Sequence, residues 1–312
     1  MDIVLLFPGQ GSQKPGMAKD LVSAHPAARE LFASVDRALG APLSTLCFDG
    51  PAEELTLTHN AQPALLAHGL AVWAVVRDRL APFVRAAAGH SLGEFTAYAA
   101  AGALTPTAAT TLVRRRGELM YEAGVRRPGA MAAVLGNLST PIDQLCEQAS
   151  REAGVVVPAN YNSPEQVVVS GEVAGVDRAI ELVKEAGARR AVKLNVSGAF
   201  HSPLMEFAQQ GLDDALRAAA MRAPAFPVVS NVTAGPVMSA AEAQSLLLRQ
   251  LTSPVRWTDV VGYLAGQYPS ALFVEMGPGN VLTGLVKRIA PAVATTTCGT
   301  AAEVDALLAR VA

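Results

Sequence analysis

One serine stands between two glycines in the segment "GHSLG" at residues 89–93, directly after the small apolar residues of "VRAAAG" at 84–89. Where such a segment joins a strand to a helix, Ser91 lies at the tip of a tight turn and the glycines relieve crowding there. The helix that begins at the turn directs free backbone N–H groups at negative charge forming nearby. Ser91 is therefore a candidate nucleophile, with a chance match in a loop rich in glycine and alanine as the alternative.

A serine nucleophile needs a general base, and two histidines are candidates. His90 is adjacent to Ser91, but neighbouring side chains on a turn diverge, so we expect His90 to pack or to cap. His201 lies in "SGAFHSPLM", where Gly198 and Pro203 can hold a short loop rigidly. A lone histidine is more often structural than catalytic, so this observation alone leaves the role of His201 open.

A third candidate is an arginine on the apolar face of a helix predicted from residue 106 to residue 123. Spacings of three and four residues link the positions on this face, which are Ala109, Leu112, Val113, Arg116, Met120 and Ala123. Burying an arginine is costly unless an anion pairs with it. That anion is either an internal Asp or Glu, in a structural ion pair, or a substrate carboxylate held by the guanidinium fork.

The elements that would position these residues form a larger and a smaller unit. The larger unit has buried strands predicted at 3–7, 84–89, 226–232 and 271–277, and helices near 16–39, 63–78 and after residue 91. Thr105 and Pro106 begin a further helix in the preferred capping order, and Gly124 ends it. Strands that alternate with helices predict an α/β fold with a parallel sheet covered on both faces.

Residues 125–197 follow a different pattern, strand–helix–strand–strand–helix–strand. This βαββαβ order is typical of a ferredoxin-like unit, and its size suits an inserted subdomain. We therefore predict a large α/β domain at 1–124 and 198–312, interrupted by a ferredoxin-like small subdomain at 125–197.

The composition argues against several classes of function. The net charge is −2 and 17% of the residues are charged, which favours neither a nucleic-acid partner nor an anionic membrane surface. The longest apolar stretch, 64–76, is too short to span a bilayer, and the N-terminus lacks the basic start of a signal peptide. Three cysteines and five histidines show no metal-ligand spacing. We expect a cytoplasmic, monomeric, metal-free protein.

Eight motifs together resemble the malonyl-CoA:acyl carrier protein transacylase family, nearly from end to end. They are "FPGQGSQ" at 7–13, "QPAL" at 62–65, "GHSLGE" at 89–94, "RRRGELM" at 114–120, "NSPEQVVVSG" at 162–171, "GAFHSPLM" at 198–205, "LTSPVRWTD" at 251–259 and "EMGPGNVLTGL" at 275–285. The resemblance implies an α/β-hydrolase-like large domain. It also implies transfer of a malonyl group from malonyl-CoA to the phosphopantetheine thiol of acyl carrier protein, with no permanently bound cofactor.

The same resemblance assigns roles to residues. It implies Ser91 as the acyl-carrying nucleophile, His201 as its base and Arg116 as the group that binds the malonyl carboxylate. Further positions it implies are Gln10 and the backbone N–H of Leu92 for the oxyanion hole, the carbonyl of Gln250 for orienting the imidazole, and Asn162, Gln166, Phe200 and Met120 for the substrate. Phe200 resembles the residue of enzymes that choose malonyl over branched acyl groups.

Two other classes of function stay open at this point. A serine hydrolase of the same architecture would consume malonyl-CoA without a carrier, and a non-catalytic docking module would not need the Ser91, His201 and Arg116 set. Within the family, the sequence does not separate fatty-acid synthesis, a polyketide line served in trans, and the carrier of a malonate decarboxylase.

Overall fold

The computed structural model describes residues 1–311, which form two sheets surrounded by helices. The strands are β1 (Ile3–Phe7), β2 (Val84–Gly89), β3 (Gly129–Leu135), β4 (Val156–Ser163), β5 (Gln166–Glu172), β6 (Arg190–Lys193), β7 (Val228–Val229), β8 (Pro236–Val237), β9 (Leu272–Met276) and β10 (Ala294–Cys298). The helices are α1 (Lys19–Ala24), α2 (Pro26–Leu39), α3 (Leu43–Asp49), α4 (Ala52–Thr56), α5 (Thr58–Leu80), α6 (Leu92–Ala100), α7 (Pro106–Arg126), α8 (Ile142–Ala153), α9 (Val173–Glu185), α10 (Gln209–Ala218), α11 (Ala240–Gln250), α12 (Trp257–Gln267), α13 (Val281–Ile289) and α14 (Ala301–Arg310). Short 3₁₀-helices lie at Ala81–Phe83 and Pro203–Ala208.

The larger sheet has the strand order β10-β9-β1-β2-β7-β8. Its first five strands pair in parallel, and β8 pairs antiparallel with β7. The central strand β1 is buried along its whole length because helices cover both faces, which explains its continuous apolar sequence "IVLLF". The α/β class with a largely parallel sheet agrees with the prediction.

Two edge strands of this sheet were not predicted. β10 has the sequence "ATTTC", is only partly buried, and carries neither an apolar run nor an alternating pattern. β8 is two residues long and joins the sheet through a turn after β7. Both are defined by pairing with a neighbour rather than by their own sequence, so periodicity could not find them.

The smaller sheet is formed by β3, β4, β5 and β6 in the order β4-β5-β3-β6, and all of its pairs are antiparallel. Its helices α8 and α9 follow β3 and β5 in the chain and share a core of their own with the sheet. The two sheets are joined where β4 bonds to the segment before α12. There the N–H of Tyr161 donates to the carbonyl of Val255, at 2.9 Å, and the N–H of Val255 donates to the carbonyl of Ala159, at 2.8 Å.

Three predicted helix boundaries were wrong. The region 16–39 divides into α1 and α2 at Pro26, because proline favours the first position of a new helix and disfavours helical backbone in the residue before it. The helix predicted at 63–78 begins earlier, at Thr58. Gly124 does not end α7; it lies inside the helix, where a side chain would collide with the carbonyl of Ser197.

Across residues 1–311, no helix combines the length and the apolar character that crossing a membrane requires.

Candidate active site

Ser91 occupies the turn between β2 and α6, at the carboxyl end of β2. Its backbone has φ 51° and ψ −105°, a conformation that costs a non-glycine residue free energy and must be held by its surroundings. The two flanking glycines are required by close packing. A Cβ on Gly89 would collide with the backbone of Gly93, and one on Gly93 would collide with the carbonyl of Phe7.

The Ser91 hydroxyl lies within hydrogen-bond distance of an imidazole 110 residues away in the chain. Its Oγ is 2.8 Å from Nε2 of His201, and Nδ1 of the same ring is 2.9 Å from the carbonyl oxygen of Gln250. A carbonyl can only accept, so Nδ1 carries the proton and Nε2 is free to accept the proton of Ser91. Burial, and then the charge of Arg116, lower the pKa of His201 to about 3, so the ring is neutral at pH 7.

Arg116 reaches the same hydroxyl from α7. Its Nη2 donates to Oγ of Ser91 at 3.1 Å and to Oε1 of Gln250 at 2.9 Å, while Nη1 donates to Oε1 of Gln62 at 2.7 Å. The guanidinium is buried, with its carbon 5.1 Å from the centre of the Phe95 ring, and its Nε has no partner within residues 1–311. Burial lowers the pKa of Arg116 to about 10, so it remains a cation at neutral pH.

The predicted alternative for Arg116 was an ion pair with an internal acid. No described Asp or Glu oxygen lies within 4.0 Å of its nitrogens. All three of its hydrogen-bond partners are neutral oxygens, so none of them neutralises the positive charge of the guanidinium. It can bind an anion placed beside Ser91.

Ser91, His201 and Arg116 line one cavity of about 370 Å³ between the two sheets. Gln10, Leu92, Met120 and Phe200 line it as well. Leu92 is the first residue of α6, so its N–H belongs to the helix end that lacks intrahelical acceptors. The side chain of Gln10 accepts a hydrogen bond from Oγ1 of Thr58 at 2.9 Å, which leaves its amide N–H₂ available.

Two residues expected at the substrate are not at this cavity. Asn162 accepts a hydrogen bond from Nε2 of His90 at 2.8 Å, and it therefore holds the ring that packs against Trp257. Gln166 begins β5 opposite Leu135, accepts a hydrogen bond from Arg288, and borders a separate cavity beyond the smaller sheet. The residue of this region that does line the cavity is Asn160. The sequence could not show this, because the register of β4 shifts before Asn160 and again after Tyr161, so a simple alternation does not tell which side chains face the cavity.

The chain was compared with known proteins. The model of the acyl transferase domain family matches residues 4–303. Over 288 residues the chain is 46% identical to the malonyl CoA-acyl carrier protein transacylase of Bacillus subtilis (strain 168), covering 92% of this chain and 90% of that protein. The chain belongs to this transacylase family. The family resemblance drawn from the eight motifs is confirmed, and the protein is an acyltransferase.

Solved structures of the transacylase family share the whole fold. The acyl-carrier-protein-S-malonyltransferase of Bartonella henselae superposes with a TM-score of 0.94 at 40% identity, covering 100% of this chain and 99% of that one. A malonyl-transacylase solved in complex with its type II polyketide synthase acyl-carrier protein also gives a TM-score of 0.94 at 40% identity, covering 99% of this chain and 100% of that one.

The candidate site has a second layer of polar residues that sequence reasoning missed. Gln62 donates to Oγ1 of Thr58 at 3.0 Å and accepts from Nη1 of Arg116, so it fixes this end of the guanidinium. Asn231 and Glu94 lie fully buried behind the strand-to-helix turn at residues 89–93, which we call the elbow. The available signal was position: Gln62 and Glu94 are polar residues inside otherwise apolar helical segments, and both belong to motifs that carried the resemblance.

Proposed function

We propose that this chain transfers the malonyl group of malonyl-CoA to the phosphopantetheine thiol of an acyl carrier protein, through a malonyl ester on Ser91. The observation that carries the proposal is the shared hydroxyl: Oγ of Ser91 contacts both the base Nε2 of His201 and the cationic Nη2 of Arg116. The nucleophile and the group that can bind a second carboxylate are therefore adjacent. The relatives' names give the same donor and acceptor.

In the first half-reaction, Oγ of Ser91 bonds to the thioester carbon while its proton passes to Nε2 of His201. The carbon–sulfur bond then breaks and the proton passes to the CoA sulfur. In the second half-reaction the carrier thiol loses its proton to His201 and its sulfur bonds to the ester carbon. The bond from that carbon to Oγ of Ser91 then breaks, and the proton passes from His201 to Oγ. The carbonyl of Gln250 holds the imidazole in the required tautomer throughout.

The remaining roles follow from the cavity lining. We assign the oxyanion hole to Gln10 and to the N–H of Leu92, where losing one donor typically costs about 3–4 kcal/mol of transition-state stabilisation. Phe200 and Met120 are apolar walls of the acyl site. The chain's own side chains supply nucleophile, base and anion site, so we propose that no metal and no permanently bound cofactor takes part.

Arg116 also favours transfer over the rival function, hydrolysis. A simple esterase needs a serine, a base and an oxyanion hole, whereas a buried cation beside the serine demands a second charge on the acyl group. A malonyl group held at both ends leaves little room for an attacking water. We therefore place the chain in fatty-acid or polyketide synthesis, with acyl carrier protein as its partner.

We further propose that residues 1–124 with 198–312 form an α/β-hydrolase-like domain and that residues 125–197 form a ferredoxin-like domain. The support is the β3–α8–β4–β5–α9–β6 succession with the sheet order β4-β5-β3-β6. We propose a monomer that acts in the cytoplasm, which gel filtration and cell fractionation test.

The function is tested by following one acyl group. The purified protein is mixed with malonyl-CoA, and the mass of the peptide that contains Ser91 is measured before and after a holo acyl carrier protein is added. We expect one malonyl group on this peptide, none in Ser91→Ala, and its transfer to the carrier; the surface variant Ser23→Ala should behave like the parent. Steady release of free malonate without a carrier would instead support the hydrolase.

A further inference from the structure

Glu94 is a fully buried carboxyl on α6, three residues after the nucleophile. Its Oε2 accepts hydrogen bonds from the backbone N–H of Asn231 at 3.1 Å and from Nε2 of Gln250 at 2.7 Å. Its Oε1 has no partner within residues 1–311. A buried carboxyl with only one oxygen satisfied is costly, so its presence calls for a role that an apolar residue could not fill.

The two residues bound by Glu94 hold the strained elbow. Oδ1 of Asn231 accepts from the N–H of Ser91 at 2.7 Å, and Nδ2 donates to the carbonyl of Gly89 at 2.8 Å. Nε2 of Gln250 donates to the carbonyl of Ser91 at 3.0 Å. The left-handed backbone of Ser91 is thus fixed on both sides by amides that Glu94 anchors.

Glu94 is also linked to Arg116 through a single amide group. Oε1 of Gln250 accepts from Nη2 of Arg116 at 2.9 Å, and Nε2 of the same amide donates to Glu94. The amide dipole therefore has its negative end toward the guanidinium and its positive end toward the carboxyl. Glu94 is the acid whose charge raises the pKa of Arg116. It makes no direct contact with the guanidinium, so the N–H group that faces Ser91 is not bound to a carboxylate.

We propose that Glu94 is a positioning residue of the acyl-transfer site and the internal counter-charge of Arg116, so that its charge state sets how strongly the site prefers a malonyl group over an acetyl group. The inference rests on the proposed function. When Glu94 is ionised, Arg116 is already partly neutralised through the Gln250 amide. When Glu94 is protonated, the malonyl carboxylate becomes the only counter-charge of Arg116.

Burial raises the pKa of Glu94 to about 7, against the opposing effects of Gln250, Asn231, Arg116 and the Ser230 hydroxyl. Arg116 is the charged group that faces it from α7, and Tyr98 is the titratable group one turn along α6; the segment after β7 and α11 contribute uncharged partners. A malonyl carboxylate on Arg116 adds a like charge, which raises the pKa of Glu94 further. By linkage, malonyl binds more tightly when Glu94 is protonated, so selectivity is highest below pH 7 and falls as the pH rises through 7.

The test is the ratio of kcat/KM for CoA release from malonyl-CoA and acetyl-CoA, measured from about pH 5.5 to about pH 8.5. A like charge nearby shifts a carboxyl pKa by about 1 unit or more, so the ratio of the parent should fall about tenfold across this range. Glu94→Gln should remove the fall and keep the high ratio at every pH, while Glu94→Asp should retain it. Glu147→Gln, an exposed change on α8, is the control and should match the parent.

A merely structural Glu94 would make a different prediction. Its replacement would slow both substrates equally and leave the ratio as it was at each pH. A parent ratio that does not change with pH, or an equal fall in Glu94→Gln, would overturn the proposal.

Proton uptake by the parent protein tests the same proposal without any variant. Malonylation in weak buffer at pH 7 should take up about half a proton per site, and acetylation none. Equal uptake for the two substrates would contradict the inference. Absence of malonyl-enzyme altogether would refute the proposed function as well, so the two failures are distinguishable.

Discussion

Replacing Arg116 with alanine should convert a malonyl-selective site into one with little preference. The guanidinium donates to Gln62, Ser91 and Gln250, and a substrate carboxylate that takes the place of the Ser91 contact can form a two-bond fork with it. Hydrogen bonds of this charged type contribute about 1.5–3 kcal/mol each, so two of them contribute about 3–6 kcal/mol. Their loss lowers kcat/KM for malonyl-CoA by about 10²–10⁴-fold, since each 1.4 kcal/mol corresponds to roughly a factor of ten.

The same change should affect acetyl-CoA much less. An acetyl group leaves the buried Arg116 without an anion, so removing the guanidinium also removes that cost. The assay is the rate at which Ser91 is acylated by each thioester, followed by intact mass. Arg115→Ala is the matched control, because Arg115 lies on the same helix, faces solvent and pairs with Glu118 and Glu122. If the malonyl-to-acetyl ratio of Arg116→Ala stays within a factor of ten of the parent, Arg116 does not bind the acyl carboxylate.

Three further predictions concern groups around the site and in the core. His201→Ala should lower the acylation rate by about 10²–10⁴-fold, whereas His90→Gln should stay within tenfold of the parent; equal losses would refute the assignment of the base. Asn231→Ala leaves the buried N–H of Ser91 without its acceptor. The free energy of unfolding, measured in urea, should therefore fall by about 1–3 kcal/mol because of this N–H group alone. A smaller fall would mean that the elbow relaxes. Burial lowers the pKa of His68 to about 4, so below pH 6.5 the unfolded chain binds a proton that the folded chain does not. The parent should therefore lose about 2 kcal/mol more unfolding free energy than His68→Leu when the pH falls from about 7.5 to about 5. An equal loss in the two proteins would contradict this.

The groups that we propose for the chemistry could be predicted because each breaks a local rule. Ser91 stands between glycines at a strand-to-helix junction, and Arg116 interrupts an apolar helical face. Such local conflicts are visible in the amino-acid sequence alone. The carbonyl of Gln250 could be assigned only through the family resemblance, since every residue has a carbonyl and no pattern marks the one that faces an imidazole.

The contacts of the residues that support the proposed nucleophile could not be predicted from their own segments. Glu94 interrupts an apolar helix, as Arg116 does, but its segment does not show which groups it meets, and Asn231 follows a strand of only two residues. Their partners come from α11, from β2 and from the turn after it, which are distant in the chain. The smaller sheet shows the opposite case: its four strands and two helices were predicted from sequence pattern, and α8, α9 and the strands β3, β4 and β5 contribute buried residues to one shared core.

The arrangement around Arg116 explains why its counter-charge, Glu94, lies on the far side of the Gln250 amide and not in direct contact. A carboxylate in direct contact would satisfy the buried guanidinium but would occupy the donors that a substrate needs. Without any internal acid, the cation would be unpaired whenever the site is empty, and burial would lower its pKa further. The Gln250 amide resolves this conflict, since it transmits part of the charge of Glu94 through a neutral group and occupies only one N–H of the guanidinium. The same amide donates to the carbonyl of Ser91, so the balance of charge and the geometry of the nucleophile depend on one side chain.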